Sequence, residues 1–241
     1  MGHRMSIKIS TLRRLLMLKA PKKYSKKELK HDPLLDTMVK TQTFYEDNKK
    51  RIHGMGGGIL VIAVIIFLLS YLHQSNEQKA AILFGKAQVE YQDMNYTKAK
   101  TFLEYLVDAY GGTTSGDQGL FLLANINYNQ NKIAEAKALY QRFVDSYSGS
   151  EILLSSGYAG LAACNEAEGD YAAAAENYLK AWHEAGDFPE ADNYLFMAAV
   201  NYEFAGQKDK ATEYYQKLTE TYPKSRHVFE ARAKLTLLAS K

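Results

Sequence analysis

The chain has 241 residues, 46% of them hydrophobic, a formal net charge of +3 and one cysteine, Cys164. A single cysteine closes no intramolecular disulfide, which excludes a disulfide-stapled fold. The small net charge conceals a split: residues 1–54 carry fourteen Lys/Arg against five Asp/Glu, and residues 73–241 sixteen against twenty-two.

Residues 1–30 are basic and poor in core-forming residues. Ile7, Leu12, Leu15, Leu16 and Leu18, interleaved with Lys8, Arg13, Arg14 and Lys19, fit a short basic amphipathic helix lying on anionic headgroups. A disordered solvated tail and a transit-type leader have similar chemistry. Only Tyr24 supplies an aromatic ring there, which argues against nucleic acid as a partner.

Ser25 and Glu28 fit a capping box, and Asp32-Pro33 is a second helix start, with Asp as cap and Pro at the first helical position. Leu34, Leu35, Met38, Val39, Gln42 and Tyr45 then recur at helical spacing. They predict a helix from about Pro33 to Ile52 whose apolar stripe needs a partner. Gly54 and Gly58 make a G-x-x-x-G step within a glycine-rich segment, read as a hinge more than as a dimerisation face.

Met55 to Leu72 contains no charged residue. As a helix its eighteen residues reach roughly 27 Å, close to the hydrocarbon thickness of a bilayer. Its Leu, Ile, Val and Phe side chains favour insertion by about 3–7 kcal/mol. The run has no polar face, so a membrane span is expected rather than a buried core helix. Lys49, Lys50 and Arg51 directly precede it. Positive charge is retained inside, so the amino end is expected in the cytoplasm and the acidic remainder outside. No Ala-x-Ala-like site follows at His73–Gln78, which favours an uncleaved signal anchor.

Beyond Asn76 the chain repeats at 37–38 residues. Turn sequences at Met94-Asn95-Tyr96, Asn131-Lys132-Ile133, Gly169-Asp170-Tyr171 and Gly206-Gln207-Lys208 each separate two apolar-periodic segments. Ala87, Ala124, Ala162 and Ala199 precede the turns, and Ala99, Ala136, Ala174 and Ala211 follow them. A methyl-sized side chain at both places lets two antiparallel helices approach closely. Leu103, Tyr140, Tyr178 and Tyr215 stand one turn beyond the second set. Leu161, Ala162 and Ala163 surround Cys164 in sequence and make it a small core residue rather than a nucleophile.

This pattern resembles the tetratricopeptide repeat. The agreement is fullest in Leu195, Ala199, Tyr202, Ala211, Tyr215 and Pro223, and nearly as full in Leu120, Leu123, Ala124, Tyr128, Ala136 and Tyr140. The first unit departs from it at Lys86, where an apolar residue is usual. The resemblance implies an all-α fold: one transmembrane helix followed by a TPR-like α-solenoid of about four helix pairs plus a capping helix. The expected domains are a basic cytoplasmic tail with an amphipathic helix (1–54), the transmembrane helix (55–72) and an exported repeat domain (76–241). The repeats fall at about 80–113, 117–150, 155–188 and 192–225, with a polar-backed cap at 225–239 begun by Ser225.

A wider resemblance rests on the basic tail, Lys27–Leu35, Phe44–Lys50, the single span and the Tyr110–Thr113 step. Together they look like bacterial YfgM-type proteins, a family linked to the SecYEG translocon and periplasmic chaperones. It implies a bacterial inner-membrane protein with its carboxyl domain in the periplasm. The expected partners are the lipid bilayer and protein, either the membrane translocon or periplasmic chains. Two other readings stand beside it: a coordinator of cell-envelope or cell-wall machinery, like Tol–Pal or outer-membrane assembly repeat proteins, and an adaptor acting through the basic cytoplasmic tail.

No catalytic constellation is present in the sequence. The six histidines, His3, His31, His53, His73, His183 and His227, never fall at metal-ligand spacing. Gly56–Gly58 lacks the Lys-Ser/Thr ending of a phosphate loop. Glu166, Glu168, Asp170 and Glu176 read as a solvated face around a turn. No enzyme activity, cofactor, metal, nucleic acid or small-molecule substrate is expected. By resemblance to other repeats of this type, the first helix of each pair lines a groove whose row includes Phe84, Gln88, Tyr91, Phe121, Asn125, Tyr128, Asn129, Glu166, Asn193, Phe196, Glu203 and Phe204. Rings beside amides suit an extended peptide or partner segment.

Overall fold

The structure, a computed structural model, describes residues 33–240. The expected amphipathic helix of the basic tail, the Ser25–Glu28 box and the Asp32 cap lie outside the described residues. Among the described residues there are nine helices and no strand.

The first helix, α1 (Pro33–Gln92), is continuous through Gly54, Gly56, Gly57 and Gly58, so the expected stop at Ile52 and the hinge are corrected. A helix ends where a residue turns left-handed or a cap takes over its backbone groups. None of these glycines has a positive φ, and Leu, Ile and Val continue the backbone hydrogen bonding beyond them. Each glycine costs about 1 kcal/mol relative to alanine in a helix interior, which lowers helix stability without supplying a terminator.

Contacts divide the chain into two units, one up to Phe67 and one from Leu68 onward. Up to Phe67, the described chain is the amino-terminal stretch of α1, and none of its residues is buried. Leu35, Met38 and Val39 of the expected stripe are exposed. Tyr45 Oη lies 3.1 Å from His53 Nε2, a partner for that histidine that the sequence did not reveal. α1 holds a segment long and apolar enough to cross a membrane, with none of it buried. A helix apolar on every side has no outward polar face for water to solvate.

From Leu68 onward the end of α1 pairs with α2 (Tyr96–Tyr110). There follow α3 (Thr114–Asn129) with α4 (Ile133–Ser146), α5 (Glu151–Glu168) with α6 (Tyr171–Ala185), and α7 (Ala191–Phe204) with α8 (Lys208–Thr221). The last helix is α9 (Val228–Ala239). From α2 to α9 each helix packs on the next, and α3 also touches α5. All eight repeat alanines are 0% exposed, as the demand for close helix approach requires. Leu103, Tyr140, Tyr178 and Tyr215 are buried beside them, and Cys164 is a fully buried core residue.

The turns share one geometry. Met94, Asn131, Gly169 and Gly206 all have φ between 59° and 79°. Their N–H groups donate to the carbonyls of Tyr91, Tyr128, Glu166 and Glu203, at 2.9–3.1 Å. The following N–H groups, of Asn95, Lys132, Asp170 and Gln207, reach back to Glu90, Asn127, Asn165 and Tyr202 at 2.8–2.9 Å. This double bond pattern closes the last turn of a helix and satisfies its carbonyls.

At the carboxyl end two expectations change. α9 begins at Val228, not Ser225. Ser225 instead lies in the preceding turn, its Oγ accepting the His227 N–H at 3.1 Å. The exposed side of the cap is mixed, with Glu230, Arg232 and Thr236 beside Phe229, 87% exposed, and Leu237, 57% exposed.

Candidate partner-binding face

The sequence-predicted row lies on the first helix of successive pairs, and the structure divides it by burial. Gln88, Asn129 and Phe204 are exposed. Phe84, Tyr91, Phe121, Asn125, Tyr128, Glu166, Asn193 and Glu203 are half-buried, and Phe196 is buried. The rings do much of the packing between helices. Phe121 meets Tyr140 edge-on at 6.0 Å and leans on Phe143 at 5.4 Å. Tyr91 meets Tyr96 at 5.5 Å, and Phe84 packs on the core of the first pair. The Phe196 ring stacks on His227 at 4.3 Å, so it fills the space beneath α9 instead of facing outward. Phe204 is 64% exposed and rests against Tyr171 at 5.3 Å.

The polar members are also engaged. Tyr140 Oη donates to Asn125 Oδ1. Tyr178 Oη donates to Glu166 Oε2 at 2.8 Å, and Tyr215 Oη to Glu203 Oε2 at 3.0 Å. Glu166 also accepts Asn201 Nδ2 at 2.8 Å, and Glu203 pairs with Lys234 at 3.0 Å. Burial, then the facing Glu166 carboxylate, pushes the Tyr178 phenol well above its ordinary range. Glu176 takes the Tyr202 hydroxyl at 2.6 Å and Lys210 at 3.3 Å, and those bonds, the Tyr202 one first, lower its pKa. Glu166 is therefore a half-buried, bonded part of the array, whereas Glu176, though bonded, stays on the exposed face. The expected face keeps accessible aromatic and amide groups at Phe204, Asn129 and Gln88.

Two contacts between helix pairs escaped sequence reasoning. Glu77 on α1 accepts the Thr114 N–H at 2.7 Å, the Ser115 N–H at 3.0 Å and Ser115 Oγ at 2.8 Å. A carboxylate from the first pair thus caps the first helix of the second, where orphan N–H groups and the helix dipole both favour negative charge. Burial raises the Glu77 pKa, but the bonds from Ser115 and Thr114 outweigh it and the net shift is downward. Lys100 on α2 likewise reaches Asn127 on α3 at 2.8 Å.

No metal-ligating cluster of His, Cys, Asp and Glu occurs among the described residues. Burial raises the Cys164 thiol pKa to about 11, the opposite of what a thiolate nucleophile needs.

The stacked helix pairs, methyl-sized contacts and shared left-handed turns define an all-helical repeat protein. The tetratricopeptide-repeat family model matches residues 118–150 and 193–225, which take in most of α3 and α7 and all of α4 and α8. The array is similar to the TPR-like repeats of a putative kinesin light chain from Podosopora anserina. The two are 17% identical with a TM-score of 0.53, covering 68% of this chain and 87% of that one. It is also similar to a tetratricopeptide repeat protein from Parabacteroides merdae, at 17% identity and a TM-score of 0.56. There the match covers 68% of this chain and 61% of the other. At that identity the likeness is one of fold. No curated protein sequence matches the chain. Repeats of this type point to a non-catalytic scaffold that binds protein.

Proposed function

We propose that the protein is a membrane-tethered scaffold whose repeat array captures a protein partner at the periplasmic face of the bacterial inner membrane, assisting translocation or periplasmic chaperoning. The observation that carries this reading is the uninterrupted α1. One helix holds the uncovered apolar run and, past Leu68, the first wall of a protein-binding repeat array. The basic segment before the run and the acidic chain after it support the orientation. Tethering raises the local concentration of the array at the membrane without requiring tight contacts. Partner contact centres on the exposed Phe204, Asn129 and Gln88, with the half-buried Phe121 and Tyr128 in the same row.

Site-specific photo-crosslinking from Asn129 and Phe204 in intact cells tests the reading, alongside a topology reporter fused after Lys241. The expected result is an exported reporter, with crosslinks to a translocon component or a chain in transit. A cytosolic reporter, or no crosslinked polypeptide from either position, overturns it.

A further inference from the structure

Hydroxyl-to-carboxylate pairs recur along the array, and a lysine completes two of them. Glu203 accepts the Tyr215 hydroxyl and pairs with Lys234 at 3.0 Å. Glu176 accepts the Tyr202 hydroxyl and Lys210 at 3.3 Å, and the Lys210 ammonium lies 4.7 Å from the centre of the Tyr202 ring. The third pair, Tyr178 with Glu166, has neutral donors only, Tyr178 Oη and Asn201 Nδ2. Among the described residues no basic side chain pairs with Glu166. Lys234 stands 31 residues beyond Glu203, and the same step from Glu166 reaches the uncharged Met197. Besides Glu166 and Glu203, the helices α3, α5 and α7 carry Asp117, Glu151, Glu168 and Asp192, and no Lys or Arg.

Two neighbouring groups are also short of a partner. Asn201 is 0% exposed, and its Nδ2 donates to Glu166 Oε1 and to the Met197 carbonyl, while its Oδ1 accepts from no described residue. A buried acceptor left without a donor is unfavourable. Tyr128, one pair earlier in the row, is half-buried. Burial, then the charges of Cys164 and Glu166, raises its pKa, so the field of Glu166 reaches that phenol.

We infer that Glu166 seats one cationic side chain, a Lys or Arg, of the protein segment captured along this row, with the Tyr128 ring beside it. The inference rests on the proposed capture of protein by this face and narrows the partner to a segment with a basic residue between apolar ones. A carboxylate offers about four acceptor sites, and Tyr178 and Asn201 fill two. An ammonium or guanidinium brings charge and several donors to those that remain, as Lys210 and Lys234 do at the other two pairs, and a tyrosine ring adds to the attraction. An acidic segment meets no positive group on α3, α5 or α7 to hold it.

The test uses short Gly- and Ser-based peptides, each with Leu on both sides of a central Lys, Gln or Glu. They are titrated by fluorescence anisotropy into the full chain in phosphatidylcholine nanodiscs, with empty discs as the blank. The Lys peptide is expected to bind about tenfold more tightly than the Gln peptide, and the Glu peptide more weakly than either. Glu166→Gln should bring the Lys and Gln peptides to within about twofold of each other, with helicity unchanged by circular dichroism. Glu151→Gln, which neutralises an exposed carboxylate on the same helix, should keep the Lys advantage. Equal binding of the three peptides to the unsubstituted chain, or binding of none, overturns the cation seat without recourse to a variant. An advantage that survives Glu166→Gln, or is lost equally in Glu151→Gln, overturns it as well. Photo-crosslinking from Asn129 and Phe204 reports separately on capture: a crosslinked polypeptide together with equal peptide binding leaves the scaffold standing and removes the cation seat.

Discussion

Asn201 on α7 donates to the Glu166 carboxylate on α5 at 2.8 Å, while Tyr178 on α6 holds the other oxygen of the same group. One half-buried charge thus joins both helices of the third pair to the first helix of the fourth. Nearest-neighbour contacts of this kind supply much of the stability of stacked repeats.

Replacing Asn201 by Ala should therefore uncouple the junction, leaving Glu166 with one donor. A hydrogen bond to a charged group contributes about 1.5–3 kcal/mol. The expected loss in urea unfolding is of that size, and much of it should vanish when Glu166 is already Ala.

Of the four left-handed turn residues Met94 and Asn131 are not glycine, and Met94, at φ 60°, lacks the short polar side chain that lets asparagine adopt this region. A left-handed residue with a Cβ costs about 1–2 kcal/mol. Met94→Gly should accordingly stabilise the array by about 1 kcal/mol, offset in part by greater freedom of the unfolded chain. The check is a rise in Tm, and Gly169→Ala should move it the opposite way.

A methyl group at Gly157 would lie 2.6 Å from Cδ1 and Cε1 of Phe143, which is fully buried and stacked on Tyr147 at 4.7 Å. The ring has little room to retreat. Gly157→Ala should destabilise by about 1–3 kcal/mol from overpacking, despite a gain of up to about 1 kcal/mol in helix propensity. Chemical denaturation would read the net loss.

Glu77 has a lowered pKa, so its capping contribution is fully present above the ordinary value of 4.5 and is lost as the pH falls through the lower folded value. Glu77→Gln should cost about 1 kcal/mol at neutral pH, as loss of a cap does. It should also flatten the acid limb of the stability profile, measured by Tm between neutral pH and pH 3.

Cys164 should react with a thiol reagent only when the array unfolds, since burial both covers it and raises its pKa to about 11. Labelling at neutral pH should follow the urea transition. A fast native-state reaction would contradict the packing described.

The repeat was legible because its signals are short-range and repeated: a small residue on each side of a turn, four times over. The polar junctions were legible in part. Glu166 and Glu203 each stand four residues after a repeat alanine and twelve before a tyrosine, and that register carries the hydroxyl-to-carboxylate bonds. In the second repeat the same place is Tyr128, and the Tyr140 hydroxyl turns to Asn125 instead. The Glu77 contact spans 37 residues to Thr114 and leaves no local pattern. The continuity of α1 was missed because glycine weakens a helix without ending it. The helix start after Ser225 was missed because Ser225 serves a turn two residues earlier in just as favourable a way.

The Glu77 bond also decides where a soluble fragment can be cut. A fragment starting at the α1–α2 turn would lose Ala80 and Ala87 from the first core and bare the Thr114 and Ser115 N–H groups. The usable boundary lies between the apolar run and Glu77, within only a few residues of helix, and the chain offers no slack linker there for a protease to find.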